Sequence, residues 1–346
     1  MKTPDETYMM RCLELAQKGK STVAPNPMVG SVIVHNDIII GEGFHRKYGG
    51  PHAEVNAINS VENQELLKES TLYVNLEPCA HHGKTPPCSD LIIEKQIPRV
   101  VIGCKDSFAK VAGKGIEKME KAGIDVKVGI LEKESRELNK RFFTFHEHKR
   151  PFIILKWAET IDGYIDVDRS IQNNGISWIT HPYLRIPVHK WRNEEAGIIV
   201  GTKTALNDNP KLDTRLWFGK NPIRFVLDRN LTLPPTLSLF DGKIPTYIFT
   251  GKENENKINL SFIKVDFTVN LLQQILNEMY KLEIQSVIVE GGRMLLQEFI
   301  DLNLWDEARV FVGNKTFGRG AKGPLIRKKM DKFCQYGNDR LLYYIN

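Results

Sequence analysis

Pro78-Cys79-Ala80-His81-His82-Gly83-Lys84-Thr85-Pro86-Pro87-Cys88, met after an upstream His52-Ala53-Glu54, is the stretch that decides how the first half of this chain folds. The run Thr71 to Leu76 before it reads as a strand, and Pro78 turns the chain just ahead of Cys79. Upstream, Gly49-Gly50-Pro51 breaks the chain and Pro51 to Ser60 then reads as a helix, which puts His52 and Glu54 at its start. Ligands at a strand end and at a helix start can converge on one point, and a helix N-terminus favours thiolate. One imidazole and two sulfurs form a donor set for zinc, with a fourth position left for water. A carboxylate two residues from the histidine is no ligand; it is placed to carry a proton. Singly these residues say little, since a buried free cysteine is ordinary core filling. In this order, on these elements, they point to a metal centre of His52, Cys79 and Cys88 with Glu54 beside it.

That set is the pattern of the zinc deaminases, in which the metal lowers the pKa of its water towards neutrality. Those proteins commonly space their cysteines as C-x-x-C, whereas eight residues, Ala80 to Pro87, intervene here. The intervening chain has to loop out and return, and His81 or His82 stays open as a replacement for Cys88. Cys12, Cys104 and Cys334 read as core or surface thiols. An odd count of five cysteines argues against a disulfide framework.

At 346 residues the chain is too long for one compact core, so two domains are expected. The boundary is placed by Pro151, which ends a charged helical stretch from Leu131 to His148; the domains are then 1–148 and 149–346. In the first, Asp5 to Lys18 and Gly113 to Ala122 read as helices. Gly30 to His35, Ile38 to Gly43, Pro98 to Gly103 and Asp125 to Ile130 read as strands. In the second, Phe152 to Lys156, Gly197 to Val200, Ile223 to Leu227, Thr246 to Thr250, Ser286 to Val289 and Ala308 to Val312 are strand-like. Leu271 to Leu282 and Met294 to Ile300 are helical. This alternation means α/β layers. No apolar run reaches the roughly 20 residues of a membrane span, and the acidic start lacks a signal-peptide core, so a cytoplasmic protein is expected. The net charge of +6 is modest and spread out, which suits phosphorylated small molecules as well as RNA.

The zinc loop, Pro25-Asn26-Pro27-Met28-Val29-Gly30 and His52-Ala53-Glu54 together resemble the bifunctional riboflavin-biosynthesis deaminase/reductase family. Lys156-Trp157-Ala158-Glu159-Thr160-Ile161-Asp162-Gly163, Ser177-Trp178-Ile179-Thr180, Asp208-Asn209-Pro210-Lys211-Leu212, Arg215 and Val289-Glu290-Gly291-Gly292 follow in that family's order. The resemblance implies a cytidine-deaminase-like three-layer domain followed by a dihydrofolate-reductase-like one. It implies deamination of a diamino-pyrimidinone ribosylamino 5′-phosphate, then reduction of the product's ribosyl group to ribityl with NADPH. It further implies Zn2+ and NADPH as cofactors, a phosphorylated pyrimidine as partner, a homo-oligomer, and neither nucleic acid nor membrane.

Carried over position by position, the resemblance lines the deaminase pocket with Asn26, His45, His81, Lys84 and Thr85. It gives the nicotinamide cofactor Ala158, Trp178, Thr204, Asp208 and the segment Gly292, Arg293, Met294, Leu295, Leu296, Gln297 and Glu298. It gives the reductase substrate Arg192, Leu212, Arg215 and Glu290. Ile176 stands where some relatives carry a substrate-contacting Ser, and Lys84 where many have Arg. Physical chemistry agrees at several of these: Lys84 is a point charge for a phosphate, and Arg192 and Arg215 offer guanidinium forks. Glu290-Gly291-Gly292 lets a phosphate approach the backbone at a helix start, although a strand-to-helix turn needs glycine on steric grounds too. No G-x-G-x-x-G follows a strand, so a Rossmann site is not indicated. Plainer readings compete: Lys84 as a solvated lysine, Arg192 as a helix-surface charge, and Asp162 as a turn former.

Three rival functions compete with this reading. A nucleoside, deoxycytidylate or tRNA deaminase with an unrelated second domain is disfavoured by the long cysteine spacing. An RNA- or nucleotide-binding protein whose deaminase fold has lost catalysis is disfavoured by the intact Glu54 and metal donors, and by the lack of an aromatic-rich basic tract for single-stranded RNA. A dead reductase half is disfavoured by Lys156, Asp208 and Glu290-Gly291-Gly292. No arginine pair fixes NADPH over NADH.

Overall fold

The computed structural model describes residues 2–80, 86–107, 113–170 and 177–346. The chain divides into two compact units, Met1–Lys149 and Arg150–Asn346.

The first unit opens with α1 (Pro4–Gln17), started by a capping box in which Thr3 and Glu6 satisfy each other's backbone N–H groups, with Pro4 at the first helical position. Then come β1 (Gly30–His35), β2 (Ile38–Phe44), α2 (Ala53–Asn59), β3 (Thr71–Leu76), α3 (Cys88–Glu94), β4 (Arg99–Cys104), α4 (Lys114–Lys121), β5 (Asp125–Val128), α5 (Glu132–Leu138) and α6 (Lys140–His148). The sheet order is β2-β1-β3-β4-β5, with β1 antiparallel to both neighbours and β3, β4 and β5 parallel. Alternation along the central strands loads both faces. Ile33, Leu72, Val74, Val100 and Ile102 pack against Ala57, Ile58, Ile92, Ile116 and Met119 of α2, α3 and α4. Val32, Val34, Tyr73 and Val101 pack against Met9, Cys12 and Leu15 of α1. Three layers result.

The single helical stretch expected from Leu131 to His148 is instead two helices that meet at Asn139. Asn139 is buried, and its amide acts as a strand mimic: Met28 N–H donates to its Oδ1 at 2.8 Å and its Nδ2 donates to Met28 O at 2.9 Å. Asn75 adds a bond to the same Met28 carbonyl and accepts from Gly30 N–H. Two buried asparagines thus fix the segment that carries Asn26.

The second unit contains β6 (Phe152–Thr160), β7 (Tyr164–Val167), α7 (Arg185–Glu194), β8 (Gly197–Val200), α8 (Thr202–Asp208), β9 (Ile223–Leu227), β10 (Thr246–Thr250) and β11 (Leu260–Lys264). There follow α9 (Leu271–Lys281), β12 (Ser286–Glu290), α10 (Arg293–Asp301), β13 (Glu307–Gly313), β14 (Gly320–Lys322), β15 (Lys332–Tyr336) and β16 (Asp339–Ile345). Nine strands form one sheet in the order β11-β10-β9-β8-β12-β6-β13-β16-β15, parallel through β13 and closed by two antiparallel strands. Ile153, Leu155, Phe225, Val287 and Val289 face α9 and α10, while Ile154, Ile198, Val226 and Ile288 face Val188 and Trp191 of α7. Strands covered on both sides read as unbroken apolar runs, which is why these were visible in the sequence. β7 and β14 form a separate two-stranded arm. Asp162 tethers its base, accepting from Thr160 Oγ1 and from the N–H groups of Phe317 and Gly318. The turn reading of Asp162 is the one this geometry supports.

Candidate active sites

In the first unit the three expected donors meet. His52 is the N-cap of α2, Cys79 lies just past β3, and Cys88 is the first residue of α3. Their donor atoms all lie within 4.8 Å of one another, with His52 Nδ1 at 3.6 Å from Cys79 Sγ and 3.3 Å from Cys88 Sγ. Around a tetrahedral zinc, with its usual bond lengths, sulfur and nitrogen would stand about 3.5 Å apart, so the donor set fits that ion. Cys79 is tied to α3 twice more: its Sγ accepts from Cys88 N–H at 3.3 Å and its carbonyl from Ser89 N–H at 3.1 Å. Hydrogen bonds from Cys88 and His52 hold the Cys79 thiol far below the ordinary thiol range despite burial, and the same contact pushes Cys88 up.

Glu54, in the first turn of α2, is only 3% exposed. Burial pushes its carboxyl up to about 7, and a cation on the neighbouring donors would draw it down again. His45 is buried at the edge of the same site, its ring edge-on to His52 at 5.4 Å. Its Nδ1–H donates to Pro51 O at 3.0 Å, so Nε2 is left to accept from Asn26 Nδ2 at 3.1 Å. Burial lowers the His45 pKa and keeps the ring neutral in that tautomer. His81, Lys84, Thr85 and Ile176 lie outside the described residues. None of Cys12, Cys104 and Cys334 joins the donor cluster among the described residues; Cys104 Sγ bonds Asn75 O instead.

Sequence reading passed over Glu77, a buried acid two residues before Cys79. Its carboxylate accepts backbone N–H bonds from Asp106 (3.2 Å), Gly113 (3.0 Å), Gly115 (3.0 Å) and Ile116 (3.4 Å). The available signal was an acid where a strand end should be apolar.

In the second unit the turn from β12 into α10 is built as expected. Gly291 has φ +129°, and a Cβ there would meet Thr204 Oγ1 at 2.7 Å, so only glycine fits. Thr204 Oγ1 then accepts Gly292 N–H at 2.9 Å, and Gly292 caps α10. Along α10, Arg293 and Met294 are exposed, Met294 at 76%. Leu295 and Leu296 are buried in the core, and the Leu296 N–H bonds Gly292 O. Gln297 bonds Leu325 N–H and Asp301, and Glu298 is half-buried with its carboxyl raised by burial. Ala158 lies on β6; Trp178 is half-exposed with Arg185 over its ring and Lys315 Nζ on its carbonyl. Asp208 ends α8, raised by burial, with Arg169 at 3.7 Å.

Arg192 is not a surface charge. It is 9% exposed and spends four N–H bonds on Glu290 and on Asp213 O. A guanidinium has five, so one is left over. Burial would raise Glu290, but the charges of Arg192 and Lys156 outweigh it and bring it down to about 2. Leu212 is buried with φ +50°, its side chain in the core. Arg215 is 46% exposed at its side chain and lines a pocket of about 690 Å³ together with Lys211, Arg224 and Lys243. Of the two arginines, Arg215 is the freer for an anion.

Fold and donor set define a two-domain enzyme of the deaminase–reductase class. Residues 2–104 match the cytidine and deoxycytidylate deaminase zinc-binding region, and 151–341 match the RibD C-terminal domain. The chain belongs to the RibD family of riboflavin biosynthesis proteins. RibD of Aquifex aeolicus is 40% identical, covering 91% of this chain and 88% of that one; RibD of Bacillus amyloliquefaciens is 39% identical over 89% and 84%. The crystal structure of a diaminohydroxyphosphoribosylaminopyrimidine deaminase/5-amino-6-(5-phosphoribosylamino)uracil reductase from Thermotoga maritima is 40% identical. It superposes with a TM-score of 0.88 over 98% of both chains. Acinetobacter baumannii RibD (form 1) does so at 0.88 with 31% identity, over 99% of this chain and 98% of that one. The chain is a bifunctional deaminase and reductase of riboflavin biosynthesis, with the fold class expected from its sequence. Among the described residues no helix is long and apolar enough to cross a membrane.

Proposed function

We propose that His52, Cys79 and Cys88 hold zinc and that Glu54 moves the protons of a deamination. The single observation that carries this is the convergence of one imidazole and two sulfurs beside a buried carboxyl. Bound zinc supplies acidity to a water molecule near neutral pH. Glu54 takes a proton from the attacking water and delivers it to the ring nitrogen, then takes the proton left on the added hydroxyl and delivers it to the amine, which departs as ammonia while the carbonyl forms. His45, fixed in one tautomer, aligns Asn26, whose carbonyl oxygen then meets a donor on the pyrimidine edge. The family resemblance adds substrate contact as the proposed role of Lys84, His81 and Thr85, Lys84 as a point charge for the phosphate.

In the second unit NADPH lies along the Gly292-to-Glu298 segment with Ala158, Trp178, Thr204 and Asp208 around it. Open backbone at the α10 start and the exposed Met294 support that placement. The ribosyl 5′-phosphate goes to Arg215, with Arg192 offering its remaining N–H, and Glu290, Ile176 and the Leu212 backbone bound the sugar. Hydride transfer then rests on orientation rather than on a strong acid or base. The reading includes a cytoplasmic homo-oligomer acting on phosphorylated pyrimidines rather than on nucleic acid.

The test supplies the diamino-pyrimidinone ribosylamino 5′-phosphate with and without NADPH. Ammonia released in both cases, with nicotinamide absorbance falling only in the second, is the expected result. Absorbance loss without any ammonia would refute the order of the two steps.

A further inference from the structure

Eight residues between Cys79 and Cys88 leave the sulfur-to-sulfur distance unfixed by the chain itself, unlike a C-x-x-C turn. Contacts across the fold have to set it: the N–H groups of Cys88 and Ser89 bond Cys79 directly, and α4 adds a second connection because it touches both sides. At its start, Gly115 lies so close to the Pro78 carbonyl that a Cβ would meet that oxygen at 2.0 Å. Further along, Ile116 and Met119 share a core with Ile92 of α3, and Lys118 pairs with Asp90 of α3. Glu77 joins these contacts, with four backbone N–H groups on its two oxygens and its own N–H on Cys104 O at 3.0 Å.

We propose that Glu77 is a positioning residue of the metal centre: its carboxylate clamps the start of α4 to the end of β3, and α4 holds α3. The gap between the two cysteines is thereby set across the fold rather than along the loop. Hydrogen bonds from four N–H groups to one carboxylate are charge-assisted and directional, which makes the clamp stiff. The proposal rests on the zinc reading above and adds the residue that shapes the site.

The test compares the full-length wild type with Glu77→Gln and Gly115→Ala. A Gln amide keeps one acceptor oxygen but turns an NH2 group towards two N–H donors. The alanine displaces α4 from Pro78 and crowds Glu77 Oε1 at 3.3 Å while leaving every charge in place. Zinc is titrated against a chromogenic chelator, cobalt-substituted protein is scanned for its thiolate and d–d bands, and hydrogen exchange follows the sheet of the first unit.

Both variants are expected to bind zinc about 10- to 100-fold more weakly, as outer-shell partners of metal ligands do. Cobalt bands should shift while sheet protection and reductase turnover hold. Unchanged affinity and unchanged bands in either folded variant overturn the proposal. So does loss of sheet protection in both, since Glu77 would then support the framework and not the site. A wild type that takes up no zinc is a different result, and it removes the metal reading itself together with this one.

Discussion

Arg192→Met removes the charge that faces Glu290 while keeping a side chain of similar reach. In the folded protein Glu290 sits at about 2 against an ordinary 4.5, and that difference corresponds to about 3 kcal/mol at neutral pH. Losing Arg192 leaves the buried carboxylate with Lys156 at 3.9 Å, and breaking a buried pair from one side costs about 3–5 kcal/mol. The sign follows from linkage. The pair's contribution is complete above the unfolded value of 4.5 and is lost as pH falls towards 2. The penalty in the variant is therefore largest at pH 7 and shrinks in acid, where Glu290 protonates. All five tryptophans, Trp157, Trp178, Trp191, Trp217 and Trp305, lie in the second unit, so urea unfolding followed by tryptophan fluorescence reports on that unit alone. The urea midpoint should drop by about 1–1.5 M at pH 7, and by clearly less below pH 4. A small shift, or one that stays constant with pH, would show that Arg192 does not carry Glu290's charge.

Glu54→Gln should retain zinc, lose about 10²- to 10⁴-fold in ammonia release and leave NADPH oxidation of supplied product untouched. Retained deamination would exclude Glu54 as the proton carrier. Thr204→Val removes the acceptor for Gly292 N–H, worth about 1 kcal/mol, so KM for NADPH should rise about fivefold with ammonia release unaffected. In the first unit burial raises Asp5, but Lys127, Arg99 and Tyr73 outweigh it and hold the carboxyl near about 2 instead of 3.8. Because Lys127 and Arg99 are partly solvated, that is worth about 1–2 kcal/mol above pH 4, fading towards pH 2. Asp5→Asn should lower hydrogen-exchange protection of α1 at pH 7, by about half as much at pH 3, and make little difference below pH 2.

What the sequence made legible depended on how local the cause was. β3, β8, β9 and β10 have the expected boundaries because each is a short apolar run with turn residues at its ends. His52, Glu54, Cys79 and Cys88 were readable because metal chemistry restricts residue type tightly. β6, by contrast, runs four residues past Lys156 to Thr160, since its pairing with β13 continues there regardless of polarity. The break at Asn139 and the clamp at Glu77 escaped because both depend on backbone groups far away in sequence, Met28 in one case and Gly113 to Ile116 in the other. The buried state of Arg192 escaped for the same reason: its partner Glu290 stands 98 residues on.

Zinc content of the purified chain is the most direct measurement. About one zinc per chain is expected, retained in Glu54→Gln and lost when Cys79 and Cys88 are both replaced by Ser. An intact, folded chain that holds no zinc and takes up none on addition, or a double serine variant that binds it as the wild type does, would contradict the assignment of the deaminase centre.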